Sequence, residues 1–368
     1  MEIQEYFKEI ETSKEYKGYF CKIGDVIATV ILGSICGLKN VSQINQWANN
    51  KKVSEFLKEK FKIESVPCYY WMLCLLKIIK PESLNKCFTR WVSEMVEGKK
   101  EYTIAVDGKS VRSGEKATEG ISALHIVSAH IAELGITIGQ KSVEGKSNEI
   151  PAVENLLNEL NISGCLIVAD AMHCQKKTAE TIVNGAGDYL LCVKDNHPSL
   201  KNDIEEYVQD TTLIKTMDCA SKTEKNRGRI EKRTAYVTKN ISWLTNSHEW
   251  KNIVCIGAIH TNFTTKQGVS DEWHYYISSR NLSADDLLVA ARSEWSVETM
   301  HWMLDVIFEE DFCRIDDRTV IKNLNMLQKL ALNLLKSFKT KSNSKKPISK
   351  IMFDCLLDSD VLWGIFEN

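Results

Sequence analysis

The sequence predicts an α/β fold: a mixed sheet flanked by helices, with a β-rich insertion and an all-helical N-terminal domain. Three observations predict it. Apolar positions follow helical spacing up to about residue 95. From residue 102, three strand-like runs are followed by alternating helix and strand, an order that produces a mixed sheet covered by helices. Between about 211 and 280 the pattern weakens into short β-prone pieces.

Residues 1–95 are predicted to form the helical N-terminal domain. Four apolar segments fit amphipathic or buried helices: residues 26–38, 44–47, 56–61 and 69–79. Ser42 is the expected N-cap of the helix that carries Trp47, and Ser83 is the expected N-cap of the helix that carries Trp91.

The second predicted domain, residues 96–345, contains the sheet. Its predicted strands are residues 102–106, 123–131, 136–143, 166–169 and 189–193, and its predicted helices are 149–160, 177–183, 283–308 and 319–338. The β-rich insertion, about 211–280, has strand signals at 234–237, 253–259 and 274–278. Residues 346–368 are predicted to be a C-terminal tail with a short helix.

Charge and cysteine content limit the class of protein. The 368 residues carry 47 Lys and Arg against 49 Asp and Glu, and this balance is a poor match for phosphate neutralisation by overall charge. Basic residues do crowd two segments, 222–233 and 336–350, for which a solvated surface is the alternative explanation. The twelve cysteines are scattered, which argues against structural zinc and a disulfide framework. Without a signal-peptide pattern or a hydrophobic run long enough to cross a bilayer, the protein is expected in the cytoplasm.

Three acidic residues form the candidate site. Asp107 and Asp170 each follow a short apolar run typical of a buried strand, and they become neighbours if the two strands lie side by side. Glu298 shares a helical stripe with Trp295 and Trp302, and this stripe is expected to face the sheet. Converging carboxylates hold Mg²⁺, and two divalent cations roughly 4 Å apart catalyse phosphoryl transfer at a phosphodiester. Taken singly, each acid also fits a turn, a cap or a half-exposed helix position; the three together favour a metal site.

Six segments, in order along the chain, carry a family resemblance. They are Ile-Ala-Val-Asp-Gly-Lys-Ser-Val-Arg (104–112), Gly-Lys-Ser-Asn-Glu-Ile (145–150), Val-Ala-Asp-Ala-Met-His-Cys-Gln-Lys (168–176), Asp-Tyr-Leu-Leu-Cys-Val-Lys-Asp-Asn-His (188–197), Gly-Arg-Ile-Glu (228–231) and Val-Glu-Thr-Met-His-Trp-Met-Leu-Asp-Val-Ile-Phe-Glu-Glu-Asp (297–311). Together they closely resemble the insertion-sequence transposases of the H-repeat-associated group. Residues 5–92 also look like the helical domain that precedes the catalytic domain in that group.

The resemblance implies a ribonuclease-H-like catalytic domain with an Asp-Asp-Glu triad, which falls here on Asp107, Asp170 and Glu298. It implies metal-dependent DNA cleavage and strand transfer at the ends of an insertion sequence, with Mg²⁺ as the cofactor and Mn²⁺ as its substitute. The implied partners are double-stranded DNA, at the element ends and the target, and a second copy of the chain in a homodimer on DNA. The β-rich stretch corresponds to the insertion domain that some of these transposases carry.

The family pattern also points to residues that contact DNA. Related insertion-sequence transposases often carry an arginine four residues before the triad glutamate and a lysine seven after it; here these positions are Glu294 and Asp305, and Arg292 is the candidate substitute for the arginine. The side chains expected to contact DNA are Lys109, Arg112, Lys194, Asn196, Arg227, Arg229 and Arg292. For Lys109 and Arg112 a solvent-facing turn is an equal alternative, and Arg229 has the alternative of pairing with Glu231.

Two other residue pairs have simpler explanations than a role in the site. Asn148 and Glu149 begin a predicted helix, so capping is the simpler expectation and a site role is the alternative. Trp295 and Trp302 are expected in the core rather than as platforms on which bases stack.

Two functions besides transposition stay open. One is a DNA-binding protein of transposon origin that does not cleave, against which the intact acidic triad argues. The other is a metal-dependent nuclease that hydrolyses DNA without strand transfer.

Overall fold

The structure, a computed structural model, describes residues 3–16, 21–96, 101–113, 123–143, 148–226, 229–265 and 268–367. The predicted α/β class is confirmed, with twelve α-helices and a nine-stranded mixed sheet in these ranges. The helices are α1 (Ile23–Ile35), α2 (Val41–Ala48), α3 (Lys51–Phe61), α4 (Tyr69–Ile78), α5 (Pro81–Met95), α6 (Glu149–Glu159), α7 (Lys176–Asn184), α8 (Pro198–Gln209), α9 (Ala284–Val306), α10 (Arg318–Lys341), α11 (Ile348–Leu357) and α12 (Ser359–Glu367). The strands are β1 (Thr103–Val111), β2 (Leu124–Ile131), β3 (Ile136–Val143), β4 (Leu166–Ala169), β5 (Asp188–Val193), β6 (Asp218–Asn226), β7 (Arg229–Thr238), β8 (Cys255–Thr265) and β9 (Gly268–Ser278). Every helix in the described ranges is too short or too polar to span a bilayer.

The sheet runs in the order β3-β2-β1-β4-β5-β9-β8-β7-β6. Strands β1, β4 and β5 are parallel to one another, and all other neighbours are antiparallel. The segment predicted to be β-rich forms β6 to β9 and continues the same sheet, because β9 pairs with β5. Strand β6 has no counterpart among the predicted strands, since its sequence, Asp-Cys-Ala-Ser-Lys-Thr-Glu-Lys-Asn, lacks an apolar pattern.

Side chains alternate between the two covered faces of the sheet. On β1, Ile104 and Val106 pack with α6 and α7 in one apolar core, whereas Ala105 packs with α9 and α10 in the other. On β4, Ile167 belongs to the α6 core and Val168 to the face covered by α9. Helix α10 also packs against the N-terminal helices α1, α4 and α5. The helices of residues 1–95 therefore extend the layer that α9 and α10 form on one face of the sheet.

Two predicted helix caps are wrong. Asn40 rather than Ser42 caps α2, since its Oδ1 accepts a hydrogen bond from the N–H of the third helical residue at 2.9 Å. Helix α5 begins at Pro81, which suits the first turn because an N–H there has no partner within the helix. Ser83 therefore lies inside α5, where its hydroxyl accepts a hydrogen bond from the backbone N–H of Glu11 at 2.8 Å.

Helix α9 turns a different stripe toward the sheet from the one predicted. Trp295 and Trp302 are 47% and 55% exposed, so the prediction that they belong to the core is wrong. The helix instead buries residues at the same helical spacing: Val297, Met300, His301 and Leu304. This stripe prevails because it continues the apolar residues of the first half of the helix, which are Leu287, Ala290 and Ala291.

Candidate active site

Asp107 and Asp170 come from neighbouring parallel strands. Strands β1 and β4 pair in register up to the residue before each aspartate, which meets the condition under which the sequence predicts Asp107 and Asp170 to be neighbours. Because alternate residues of a strand share a face, both aspartates belong to the face that α9 covers. Asp107 does not end its strand, contrary to the prediction: β1 continues to Val111 because β2 pairs with it beyond the end of β4.

The structure brings Asp107, Asp170 and Glu298 to one cavity of about 550 Å³, whose walls come from α9 and the sheet. The side chains of Asp107 and Asp170 are 32% and 46% exposed, and Glu298 is exposed, so all three carboxylates are open to solvent. Their oxygens do not all lie within 4.8 Å of one another. Within the described ranges, the three acids whose oxygens all lie within 4.8 Å of one another are Asp305, Glu310 and Asp311.

Basic side chains contact both aspartates. Lys194 Nζ lies 3.0 Å from Asp170 Oδ1. Burial on its own would raise the pKa of Asp170, but the hydrogen bond from Lys194, a backbone hydrogen bond from Ala171 and the charges of Lys194 and His173 together hold this pKa below its usual value. His301 Nδ1, on α9, lies 3.4 Å from Asp107 Oδ2. Asp170 is therefore ionised, and Asp107 is linked to the helix that carries Glu298.

A fourth carboxylate, Glu294, lines the same cavity one helical turn before Glu298. Burial, and then the negative charge of Asp170, raise the pKa of Glu294 to about 7; Asp107 and Glu298 add to this rise and Lys194 opposes it. Glu294 therefore keeps its proton well above the pH at which an ordinary glutamate loses it.

This donor set fits a divalent cation. Asp107, Asp170, Glu294 and Glu298 offer only carboxylate oxygens, the ligand type that Mg²⁺ and Mn²⁺ prefer. Three of these carboxylates help to raise the pKa of the fourth, so negative charge in the cavity exceeds what Lys194 compensates. A divalent cation would supply the missing compensation.

Three of the predicted DNA contacts, Lys194, Arg229 and Arg292, line the cavity. Arg229 donates a hydrogen bond to Glu231 at 3.1 Å, and Arg292 pairs with Glu224 at 2.5 Å. Ion pairs at such partly exposed positions contribute little stability.

Two other predicted DNA contacts, Arg112 and Asn196, lie outside the cavity wall. Arg112 is exposed but is not part of the cavity wall. Asn196 supports the turn after Asp170, since its Nδ2 donates to the carbonyl oxygen of Ala171 at 2.7 Å. Arg227 lies outside the described residues.

Lys109 is held in an ion-pair network instead of facing the cavity. Its ammonium group contacts the carboxylates of Asp305 and Glu310, and its side chain is only 14% exposed. Asp311, beside them, accepts a hydrogen bond from the backbone N–H of Arg112 at 2.9 Å. Lys109 therefore compensates the charge of the cluster formed by Asp305, Glu310 and Asp311. This ion-pair network connects β1 to the end of α9.

Sequence reasoning names Glu294 only as a departure from the family pattern and gives His301 no role in the site. His301 belongs to the buried stripe of α9, and Glu294, although partly exposed, lies at the same helical spacing. A titratable residue at such a position is the signal that could have found them. The expectation that Glu149 caps a helix is wrong. Its side chain is buried and accepts hydrogen bonds from His125 and His173.

Comparison with known proteins identifies the family. The family model described as Transposase DDE domain matches residues 98–334, and the model described as DDE_Tnp_1-associated matches residues 4–92. Among solved structures, the piggyBac transposase synaptic complex with hairpin DNA gives a TM-score of 0.47 at 10% identity, over 100% of this chain and 77% of that chain.

Full-length relatives occur in Escherichia coli. The chain is 30% identical to the K12 proteins named "Putative protein YbfL" and "H repeat-associated putative transposase YhhI", over 99% of this chain and 99% of each relative. It is also 30% identical to the O157:H7 protein named "Putative transposase YncI", over 94% of this chain and 90% of the relative. The family match, which spans more than half of the chain, and these relatives show that the protein belongs to the transposases that carry a DDE domain.

Proposed function

We propose that this chain cleaves DNA and transfers strands at the ends of an insertion sequence, in a metal-dependent reaction at Asp107, Asp170 and Glu298. The observation that carries the proposal is the convergence of these acids, from three distant parts of the chain, on one cavity that also contains Lys194 and Arg292. Membership of the transposase family supports the same reaction class.

The proposed catalytic domain, residues 96–345, has a ribonuclease-H-like fold. Support comes from the half of the sheet ordered β3-β2-β1-β4-β5, in which three consecutive antiparallel strands are followed by two parallel strands connected through helices. Residues 211–280 are the proposed insertion within this domain. Residues 1–95 are a proposed DNA-binding helical domain, and residues 346–368 are a proposed tail.

Asp107, Asp170 and Glu298 are the residues that would hold Mg²⁺ or Mn²⁺; two such cations, when bound, activate the attacking oxygen and stabilise the leaving oxygen at a phosphodiester. Lys194 helps to keep Asp170 ionised, and His301 contacts Asp107 from α9. These contacts orient the two aspartates before DNA arrives.

The proposed DNA contacts around the site are arginines that exchange their present carboxylate partners for phosphates. Arg229 would leave Glu231, and Arg292 would leave Glu224, which brings a DNA strand across the mouth of the cavity. Two element ends must be brought together, so the proposal includes a homodimer assembled on DNA. It also includes action in the cytoplasm, on the nucleoid.

The test is an assay of cleavage and joining. The purified chain is incubated with Mn²⁺ and DNA that carries the ends of the flanking element. Joined products support the proposal. Cleavage without joining identifies a nuclease, and binding without either identifies a DNA-binding protein of transposon origin.

Variants of the three acids connect the reaction to the site. Asp107→Asn, Asp170→Asn and Glu298→Gln are expected to abolish cleavage while folding and DNA affinity are kept, because the side chains are partly exposed and nearly unchanged in size. The matched control is Asp285→Asn, an exposed acid in the first turn of α9 that does not line the cavity. Full activity of any one of the three variants removes that residue from the site.

A further inference from the structure

A buried carboxylate bridges two histidines beneath the cavity. Glu149, the first residue of α6, is 1% exposed, and each of its oxygens contacts one imidazole ring. The first oxygen lies 3.0 Å from His173 Nε2 and the second lies 2.5 Å from His125 Nε2. Both histidines are themselves buried. We call these three residues the carboxylate bridge.

One end of the bridge packs against the strand segment that carries Asp107. His125 lies on β2 opposite Ser110 of β1, and its Nδ1 is 3.1 Å from the hydroxyl of Ser110. Gly108, directly after Asp107, lies so close that a Cβ atom there would be 2.4 Å from Glu149 Oε1 and 2.5 Å from His125 Nε2. The backbone next to Asp107 therefore rests on the bridge, and any side chain at position 108 would displace it.

The other end of the bridge holds the turn that carries Asp170. His173 ends the 3-10 turn Ala171–His173, and its backbone N–H donates a hydrogen bond to the carbonyl oxygen of Asp170 at 2.9 Å. Glu149 links His173, at the end of this turn, to His125, which contacts Ser110 of β1. The position of the turn relative to β1 therefore depends on Glu149.

The carboxylate bridge is expected to stabilise the folded chain less than apolar side chains of the same volume would. Burying a carboxylate and two imidazoles is unfavourable unless their hydrogen bonds are satisfied, and apolar residues of the same volume often serve stability as well or better. Burial on its own would raise the pKa of Glu149, but hydrogen bonds from His125 and His173 lower it to about 2. The carboxylate is thus charged and directed at both rings, an arrangement with a defined geometry that an apolar contact does not provide.

We propose that Glu149 is a positioning residue that, through His125 and His173, fixes the backbone at Asp107 and Asp170 for divalent-metal binding. This inference rests on the proposed function, since it assigns a supporting role around the same acids. Hydrogen-bonded groups behind metal ligands typically change metal affinity or activity by about 10–100-fold when they are removed.

The experiment measures Mn²⁺ affinity of the full-length chain by isothermal titration calorimetry, and DNA cleavage alongside. Glu149→Gln keeps the size of the side chain but leaves one acceptor oxygen for two imidazole donors. Gly108→Ala keeps all three bridge residues and displaces them by its methyl group. Both variants are expected to weaken Mn²⁺ binding by about 10–100-fold with unchanged DNA affinity, and excess Mn²⁺ is expected to restore cleavage.

The control for a purely structural effect is Asn333→Ala. Asn333 is buried and exchanges two hydrogen bonds with the backbone of Thr137, at 2.9 and 2.7 Å, away from the cavity. This variant is expected to lose thermal stability while its Mn²⁺ dissociation constant stays that of the wild type.

The outcomes separate the two proposals. If the bridge variants bind less Mn²⁺ per chain but with the wild-type dissociation constant, the variants have lost folded protein and not metal affinity. The Asn333→Ala control is also expected to keep the wild-type dissociation constant. The positioning role is then overturned while the proposed function stands. If Glu149→Gln does not fold, Gly108→Ala decides the question by the same dissociation constant. A wild-type chain that neither binds Mn²⁺ nor cleaves DNA overturns the proposed function and the positioning role together.

Discussion

Replacing Glu294 by glutamine tests whether negative charge accumulates in the cavity. Burial, and then Asp170, raise the pKa of Glu294 from 4.5 to about 7. Between these pH values the folded chain keeps a proton that the unfolded chain releases, so the free energy of unfolding of the wild type decreases as the pH rises through this window. Above about pH 7, Glu294 is ionised in the folded chain as well, and the full loss of unfolding free energy, which we call the penalty, is present.

The size of the penalty follows from the same values. A rise in pKa from 4.5 to about 7 corresponds to roughly 3 kcal/mol, at about 1.4 kcal/mol for each pKa unit. Glutamine has no proton to lose. Glu294→Gln is therefore expected to match the wild type near pH 4, below the unfolded pKa, and to exceed its free energy of unfolding by up to roughly 3 kcal/mol near pH 8.

Urea denaturation in the presence of EDTA, from about pH 4 to about pH 8, measures this difference between variant and wild type. Asp285→Asn, an exposed change on the same helix, is the control and is expected to show no such pH dependence. Added Mg²⁺ is expected to shrink the difference, because a bound cation compensates the charge that holds the proton on Glu294 and stabilises the folded wild type. A stability difference that stays constant over the whole pH range would refute the reasoning.

Three further predictions concern corrections to the sequence interpretation. Lys109→Met is expected to lower the free energy of unfolding by about 3–5 kcal/mol, because it leaves the buried Glu310 without its cation. Urea denaturation measures this loss. An unchanged stability would contradict the structural role of Lys109 and make it a candidate DNA contact again. Trp302→Ala is expected to cost under about 0.5 kcal/mol and Leu304→Ala about 2–5 kcal/mol, and the reverse order in thermal denaturation would contradict the observed face of α9. Arg229→Ala is expected to reduce the slope of log DNA affinity against log salt by about 1 in fluorescence anisotropy; an unchanged slope excludes a phosphate contact.

Elements with a strong apolar pattern are predictable from this sequence. Strand β4 is a continuous apolar run and is visible as a buried strand. The start of α9 is equally visible, because Ser283 and Asp286 form a capping box. These local signals place an aspartate after each of two buried strands, and the structure supplies the pairing of β1 with β4 that makes Asp107 and Asp170 neighbours.

Features that depend on packing partners are not predictable in this way. Glu149 lies 24 residues from each of His125 and His173, so no periodicity connects them, and only the folded sheet brings them together. The orientation of α9 is similarly undetermined by the sequence, since two stripes at helical spacing compete. The sheet selects the stripe that includes Glu294, and this turns a departure from the family pattern into part of the cavity wall.

Asp305 is the second residue that departs from the family pattern, and its ion-pair partner lies on strand β1. Position 305 has an acid where related transposases often have a lysine on the helix, and the structure pairs this acid with Lys109 from β1. Asp107 lies two residues before Lys109 on the same strand, so the ion pair holds the strand of one proposed metal ligand against the helix that carries another, Glu298. A lysine committed to Asp305 and Glu310 has no charge left for a phosphate. The proposed DNA contacts are therefore the cations that line the cavity, and Arg229 and Arg292 are the decisive residues to test.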